Sequence, residues 1–439
     1  MDAQAESYLE RLLPGQAGAP ASSPASSPSW LTELRARALE RANALRVPTT
    51  RDEDWRFTDP SPLYKVVLEA PRQAAQVDAG ALEPWLIPEA ASRLVFVDGS
   101  FAPGLSSIRP ESGVVVAPLG RTLSERDERV QDALARIVSG TDEAFSAVNT
   151  AWLRDGAVVL VSRERDARDP IHLLFLSVSE RSATYPRSLV VAERGSCCTV
   201  VEDYVSLHSE VGLTNAVSEI HVGEGASVRH VRLQREGTAA FHIGTCGVRV
   251  ARDGRYRSVS IALGARLSRY NLQVVQAGEG TDFDIDGLAL ISGRQLADTH
   301  SFVDHALPHG RSRQLHKCVV GDAAHAVFNG KILVRPGAQR TDSAQESRNL
   351  LLTQRAQVDT KPQLEIFADD VKCGHGATVG QLDAEQVFYL RSRGLSESAA
   401  RDLLTFAFAA QVVERIALPS VVRRLEDAIV RRTQKESRS

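Results

Sequence analysis

One kind of turn keeps returning through the middle of this chain. ERGS is centred on Gly195, GEGAS on Gly225, ARDGR on Gly254 and GEGTD on Gly280, at separations of 30, 29 and 26 residues; GDAAH at Gly321 looks similar. The intervals hold short β runs such as AVVLVS (157–162), HLLFLSVS (172–179), SLVVAE (188–193), SVRHVRL (227–233), YRSVSIAL (256–263) and KILV (331–334), each bounded by Gly, Asp or Glu. Strands repeating at this length, with almost no helical periodicity, predict the stacked coils of a β-solenoid. Each coil can bury its inward side chains only against its neighbours, so several are needed. Periodicity alone would serve a β-sandwich equally well. Either way, residues 92–390 read as a β core.

The flanks read differently. Residues 1–91 carry a short helical pattern at 5–13, a Pro/Ala/Ser-rich tether at 15–29 and an amphipathic helix from Trp30 to Leu45, with a Glu/Arg-rich face opposite the apolar one. In DEDWRFTDP (Asp52–Pro60), Trp55 and Phe57 are suited to anchor this part on the main body. In 391–439, Ser396 is placed as an N-cap with Glu397 in the first turn. Leu404, Phe408, Val412 and Ile416 then fall at i+4 intervals on one helical face. Pro419 interrupts, and Val421, Val422, Leu425 and Ile429 mark a second helix. The pair can cap the open end of a solenoid or dock another protein.

Composition narrows the function. Of 439 residues, 43% are hydrophobic, 24% charged and 5% aromatic, with a net charge of −3, so no nucleic-acid or anionic-membrane surface is advertised. Five cysteines, Cys197, Cys198, Cys246, Cys318 and Cys373, form no CxxC pair, which argues against a disulfide framework or a self-contained zinc or iron–sulfur site. The N-terminus has no secretory pattern and the longest apolar stretch, near Leu403–Val413, is too short for a bilayer. These features read as cytoplasmic. A secreted solenoid lyase or hydrolase, which needs aromatic sugar platforms, ranks far behind. No phosphate-binding loop, GxGxxG after a strand, HExxH or GxSxG occurs, so the chain is expected to bind no nucleotide and to be no enzyme. His300, His305, His309, His316 and His325 cluster in sequence, but strand alternation turns such rings apart, and decoration of solenoid turns is the reading adopted.

The densest chemistry lies in KPQLEIFADDVKCGHGATVG (361–380). It reads as a strand breaking into a glycine-rich turn that carries Cys373 and His375 to a rim. There a thiolate and an imidazole can both meet iron. The plain alternative is a surface turn with incidental residues.

With its neighbours this block resembles the SufB/SufD family of iron–sulfur cluster assembly scaffolds. The matching runs are RQLHK (313–317), AVFNGKI (326–332), TDSAQ (341–345), NLLL (349–352), the 361–380 block and QVFYLRSRGLS (386–396); EDWRFTDPSPL (53–63) resembles the family's N-terminal tryptophan motif. The N-terminal helices and tether have no counterpart matched residue by residue. Within the family the chain is similar to SufD rather than SufB. A SufB-type CDSLL run is replaced here by SRNLL (347–351), with Ser347 in the cysteine's place, and an EHEAT-type turn by CGHGAT (373–378).

The resemblance implies a right-handed parallel β-helix flanked by helical regions. It implies a non-catalytic subunit that pairs with a SufB homologue and docks the ABC-type ATPase SufC through the C-terminal helices, whose Leu404–Ile416 face is the expected contact. A cysteine desulfurase system would act indirectly, and a transient iron–sulfur cluster would form at the SufB–SufD junction on ATP-driven twisting. His375 matches a SufD histidine that holds iron or the nascent cluster, and Cys373 stands beside it. Whether the complex carries a flavin stays open. The alternative is a self-sufficient SufB-like homodimer holding a cluster through Cys373 and His375.

Overall fold

The computed structural model describes residues 28–69, 71, 75–140 and 143–436; the helix expected over 5–13 and nearly all of the 15–29 tether lie outside the described residues. Helix α1 (Ser29–Ala44) and the single turn α2 (Ser61–Tyr64) precede strands β1 (Ser92–Val97), β2 (Ser100–Phe101) and β3 (Val114–Pro118). Three short helices follow: α3 (Leu119–Ser124), α4 (Glu128–Ala133) and α5 (Ala144–Ala151). They correct the expectation of continuous β structure from residue 92. Asp127 caps α4 by accepting from the Arg129 N–H, a local start signal of the ordinary kind.

The solenoid then runs without interruption. Strands β4 (Gly156–Val161), β5 (Ile171–Ser177), β6 (Ala183–Thr184) and β7 (Arg187–Ala192) lead into two-strand coils. These are β8 (Cys197–Ser206) with β9 (Leu213–Val222), β10 (Ser227–Arg235) with β11 (Phe241–Val250), and β12 (Arg255–Ala262) with β13 (Leu267–Gln276). Next come β14 (Asp282–Ile291) with β15 (Leu296–His305), β16 (Arg311–Val320) with β17 (His325–Val334), and β18 (Asp342–Leu351) with β19 (Gln357–Ile366). Strand β20 (Lys372–Gly380) ends the stack. Even-numbered strands from β8 pair in parallel in one sheet, ending at β20; odd-numbered strands from β7 form the other, ending at β19. The result is a β-solenoid of about eight turns with helices at both ends of the chain.

The sequence repeat has a backbone cause. One corner of each coil holds a residue in the left-handed region: Glu164, Gly195, Gly225, Asp253, Gly280, His309 and Arg340, with φ from 54° to 70°. Its N–H donates to a carbonyl of the next coil's corner, as in Gly195 to Glu224, Gly225 to Arg252, Asp253 to Glu279, Gly280 to Pro308 and His309 to Gln339, all at 2.8–3.2 Å. Only three of the seven are glycine. Gly254 is not the left-handed residue of its turn; Asp253 is. GDAAH lies at the opposite corner, between β16 and β17.

Inward side chains make a core of Val, Ile, Leu and aromatic residues, with Phe96, Phe175 and Tyr204 stacked at 5.1 and 5.0 Å. The N-terminal segment is fastened to the outer face as expected at Trp55, which lies against Phe145 (5.7 Å) and under the Arg269 guanidinium (4.0 Å). Thr58 donates to Asp298 at 2.7 Å. Phe57 is exposed and is no anchor. Fully buried Arg187 bonds Glu219 and the Val138 carbonyl, and Glu219 accepts the N–H groups of Ala135, Ile137 and Val138. That pair holds the loop after α4 against the coils.

Helices α6 (Ala384–Ser392), α7 (Glu397–Val413) and α8 (Pro419–Glu436) finish the chain. The β core therefore ends at Gly380, ten residues before the expected boundary of 390. Ser396 caps α7 as expected, accepting from the Ala399 N–H at 3.2 Å.

The corner geometry makes a prediction. A Cβ on Gly225 meets nothing within 4 Å, so Gly225→Ala bears backbone strain alone and should cost about 1 kcal/mol. A Cβ on Gly223 would stand 2.7 Å from the Ala192 carbonyl oxygen and 2.8 Å from the Arg194 nitrogen, so Gly223→Ala should lower the denaturant midpoint further. The reverse order would overturn this account of the corner.

Candidate functional site

The residues 361–380 form two strands, not a strand and a turn. Their turn is at 367–371, while CGHGATVG is strand β20, correcting the glycine-based reading. Pairing with β18 sets Ser343 beside Cys373, Gln345 beside His375, Ser347 beside Ala377 and Asn349 beside Val379. All four β18 partners are buried inward residues. Side chains alternate along a strand, so Cys373 and His375 share the inner face of the last coil. Cys373 packs on the core cluster with Leu364 and Val371.

Among the described residues no further strand pairs with β19 or β20. The inner face of this coil is therefore open, and nearly all of β20 is exposed. Burial, then the nearby Asp342 charge, raises the Cys373 thiol above its usual range against a backbone hydrogen bond from Ser343; iron binding there would release a proton. Two donors two residues apart are half of the four that a [2Fe–2S] cluster takes. Among the described residues no group of three or more His, Cys, Asp or Glu is placed to hold a metal ion.

Ser347 is buried, and its Oγ accepts from Thr360 Oγ1 and Asn349 Nδ2, each at 3.0 Å. A hydroxyl fills the inward position where the family resemblance puts a thiol. Glycines 374, 376 and 380 alternate on the outer side of β20, and a Cβ on any of them would meet nothing. That strand thus offers a partner's backbone an unobstructed approach. Exposed Ile366, Phe367 (63%) and Val379 (47%) rim the same end.

The apolar stripe on the C-terminal helices is placed differently from the expectation. Val412 and Ile416 are completely buried against outward residues of β10, β12, β14 and β16, including Val231, Val259, Leu288 and Leu315. Half-buried Leu404 and Phe408 border this seam. The Phe408 ring lies 4.2 Å from Lys317 Nζ, which also donates to the Phe408 carbonyl at 2.8 Å. Val412 and Ile416 are therefore not a free docking face, and the helices lie along the flank of the solenoid without capping its end. The apolar residues that α6 and α7 do expose are Phe388 (71%), Tyr389 (56%) and Leu403 (46%).

The histidine cluster disperses. His300 and His325 are half-buried on the outer face, paired with Asp298 and Asp359, and His309 is a corner residue. His305 and His316 are interior strand residues, not turn decoration. Cys197 is exposed and Cys198 buried, facing opposite sides as expected, and Cys246 and Cys318 are buried.

Sequence reasoning missed the polar interior. Ser218 Oγ donates to Glu202 at 2.7 Å, His230 lies 3.3 Å from Glu202, and the His230 Nδ1–Tyr256 hydroxyl separation is 3.0 Å. Burial alone would raise Glu202, but the adjacent His230 ring and the Ser218 hydrogen bond outweigh it and hold the carboxyl at about 2. Nearby, Arg232 donates to His242 Nε2 (2.6 Å), whose Nδ1 faces Glu236 at 2.7 Å. Strand alternation in a parallel stack was the signal that could have shown these residues inward.

The final coil of this parallel β-solenoid scaffold places one thiol and one imidazole on the inner face of an open end. Comparison with known proteins identifies the scaffold. The SufBD core domain of the SUF iron–sulfur cluster assembly system matches residues 175–408, and the SufBD N-terminal region matches residues 21–173. The chain belongs to the SufB/SufD family of iron–sulfur cluster assembly proteins. It is 41% identical over 92% of both chains to an iron–sulfur cluster assembly SufBD family protein of Synechocystis sp.. It is 34% identical to SufD of Escherichia coli over 84% of this chain and 85% of that one. Identity to SufD of Bacillus subtilis is 27%, over 93% and 95%. The N-terminal match also gives the helix at 29–44 a family counterpart.

The interior histidines set an acid limit. Burial pushes His316 down to about 3 against a weak pull from Asp298, and His305 down to about 4 against Asp304. Free imidazole titrates near 6.5. Below that pH the unfolded chain binds protons that the folded chain refuses, so stability falls from about pH 6.5 towards pH 4, by about 1.4 kcal/mol per pH unit for each such group. His316→Gln should make the slope of unfolding free energy shallower by about one proton over that range. Parallel curves for mutant and wild type would refute it.

Proposed function

We propose that this chain is a non-catalytic, SufD-type subunit of an iron–sulfur cluster assembly scaffold that pairs with a SufB-type chain and docks an ABC-type ATPase. The observation that carries the reading is the half-site. Cys373 and His375 share the inner face of a coil that no later coil covers, and two ligands do not close a cluster. A partner laid on the β19/β20 end would complete both the backbone pairing and the coordination shell. Iron and sulfide are then cargo assembled at the junction. Five free cysteines without a disulfide support a reducing, cytoplasmic setting. The exposed Phe388, Tyr389 and Leu403 are the surface for the ATPase, the buried stripe being engaged with the solenoid.

A homodimer is the second reading, since two copies joined at this end would bring two thiols and two imidazoles. Anaerobic affinity purification with mass spectrometry separates the two: recovery of a SufB-type chain and an ATPase supports the first, and a homodimer loaded with iron and sulfide supports the second.

His375→Ala should leave the complex assembled while lowering its iron and sulfide content several-fold; equal loading would sink the role of His375. The double variant Phe388→Asp/Leu403→Asp should stay soluble and lose ATPase binding in pull-down. Phe408→Asp, by contrast, should lower thermal stability by disturbing the helix seam. Full ATPase binding by the soluble double variant would remove α6 and α7 from the docking surface.

A further inference from the structure

We propose that Gln345 is a positioning residue for His375: its side-chain carbonyl accepts one ring N–H and leaves the other ring nitrogen free for iron. The inference rests on the reading of His375 given above and extends it to a residue one coil deeper. Three observations converge on it.

First, Gln345 and His375 are register partners on adjacent parallel strands, with backbones about 4.8 Å apart. Both side chains stand on the inner face. Second, Gln345 is 1% exposed, and its amide is fixed from one side only: Nε2 donates to Gln314 Oε1 at 2.8 Å, and Gln314 Nε2 donates to Ser301 Oγ at 2.8 Å. In this arrangement Gln345 Oε1 is a buried acceptor with no partner. A buried carbonyl without a donor costs about 1–3 kcal/mol, so its persistence calls for a function. Third, the opposite wall is cut back to receive this amide. A Cβ on Gly330 would stand 2.3 Å from Gln345 Nε2 and 2.8 Å from Oε1. The rung above Gln345 is His375, the last one in the stack.

A histidine that binds metal through one nitrogen ordinarily donates the other N–H to an acceptor, which fixes the tautomer and the ring plane. Gln345 Oε1 is the buried acceptor on the rung beneath the exposed His375 ring and meets that need when the ring turns inward. No proton is transferred; the amide selects which nitrogen keeps the lone pair. Gln345 does not touch iron.

The test uses the full chain and the assembled complex. In metal-free chain labelled with 15N-histidine, the His375 ring should show one dominant tautomer in the wild type. Gln345→Met, similar in size but without the acceptor, should give a mixture. Gln345→Glu should restore the single tautomer, because it keeps an acceptor at the same reach and the Gln314 amide can rotate to donate to it. In the complex, titration with ferrous iron alone under anaerobic conditions should show about tenfold weaker binding for Gln345→Met and near wild-type binding for Gln345→Glu. Thermal midpoints of all variants exclude simple unfolding, and Gln314→Met, one rung further in, controls for general loss of interior polarity. An unchanged tautomer in Gln345→Met overturns the proposal. Iron loading insensitive to His375→Ala would overturn the site reading instead, while the tautomer measurement would still decide the Gln345 contact.

Discussion

Everything in this molecule depends on parallel, in-register stacking, in which each coil is completed only by the next. The corner bonds carry the register from coil to coil, because each left-handed residue aims its N–H along the stack axis at the following corner. Such a stack has no internal reason to stop, and its last coil must present unpaired strand edges and an uncovered inner face. Many solenoids hide that end beneath a cap. Here the C-terminal helices lie along the flank, so the end stays available. The exposure of Cys373 and His375 is thus the consequence of where the helices pack.

The interior polarity belongs to the same logic. Removing one member of a buried ion pair typically costs 3–5 kcal/mol, although an intact pair adds little net stability. A one-coil slip would tear apart Glu202–His230 in the interior and Arg187–Glu219 on the outer face, whereas an all-valine interior would tolerate it. The polar rungs serve register more than stability. The rungs nearest the open end, Ser343, Gln345, Ser347 and Asn349, are polar without being charged, so the wall beneath Cys373 and His375 brings hydrogen-bonding capacity without a fixed charge.

Much of this was legible in the residues, and the failures have identifiable causes. Glycine marks the corner at Gly195, Gly225 and Gly280, but Glu164, His309 and Arg340 adopt the same φ without it. The strain there is borne by the stacking, which no local pattern reports, so the visible period fades after Gly280. The same reliance on glycine inverted the reading of 361–380. The turn there contains none, and the strand carries three because its outer side is bare. Cys373 and His375 were recognisable as a pair by their two-residue spacing. Gln345 was not, since SAQESRNLL is polar at nearly every position and only the register with β20 separates its inward residues from its outward ones.

The helical stripe shows a different limit. Leu404, Phe408, Val412 and Ile416 form an apolar face whose spacing demands a cover, but periodicity cannot say whether the cover is another protein or the same chain. The solenoid supplies it, through Val231, Val259, Leu288 and Leu315. That packing sets α7 on the outer faces of β14 and β16. A force applied to the exposed Phe388–Leu403 region would therefore be delivered to the same sheet that ends in β20. The connection is mechanical, through packed side chains and the strand ladder. It joins the open end and the helical surface through one sheet.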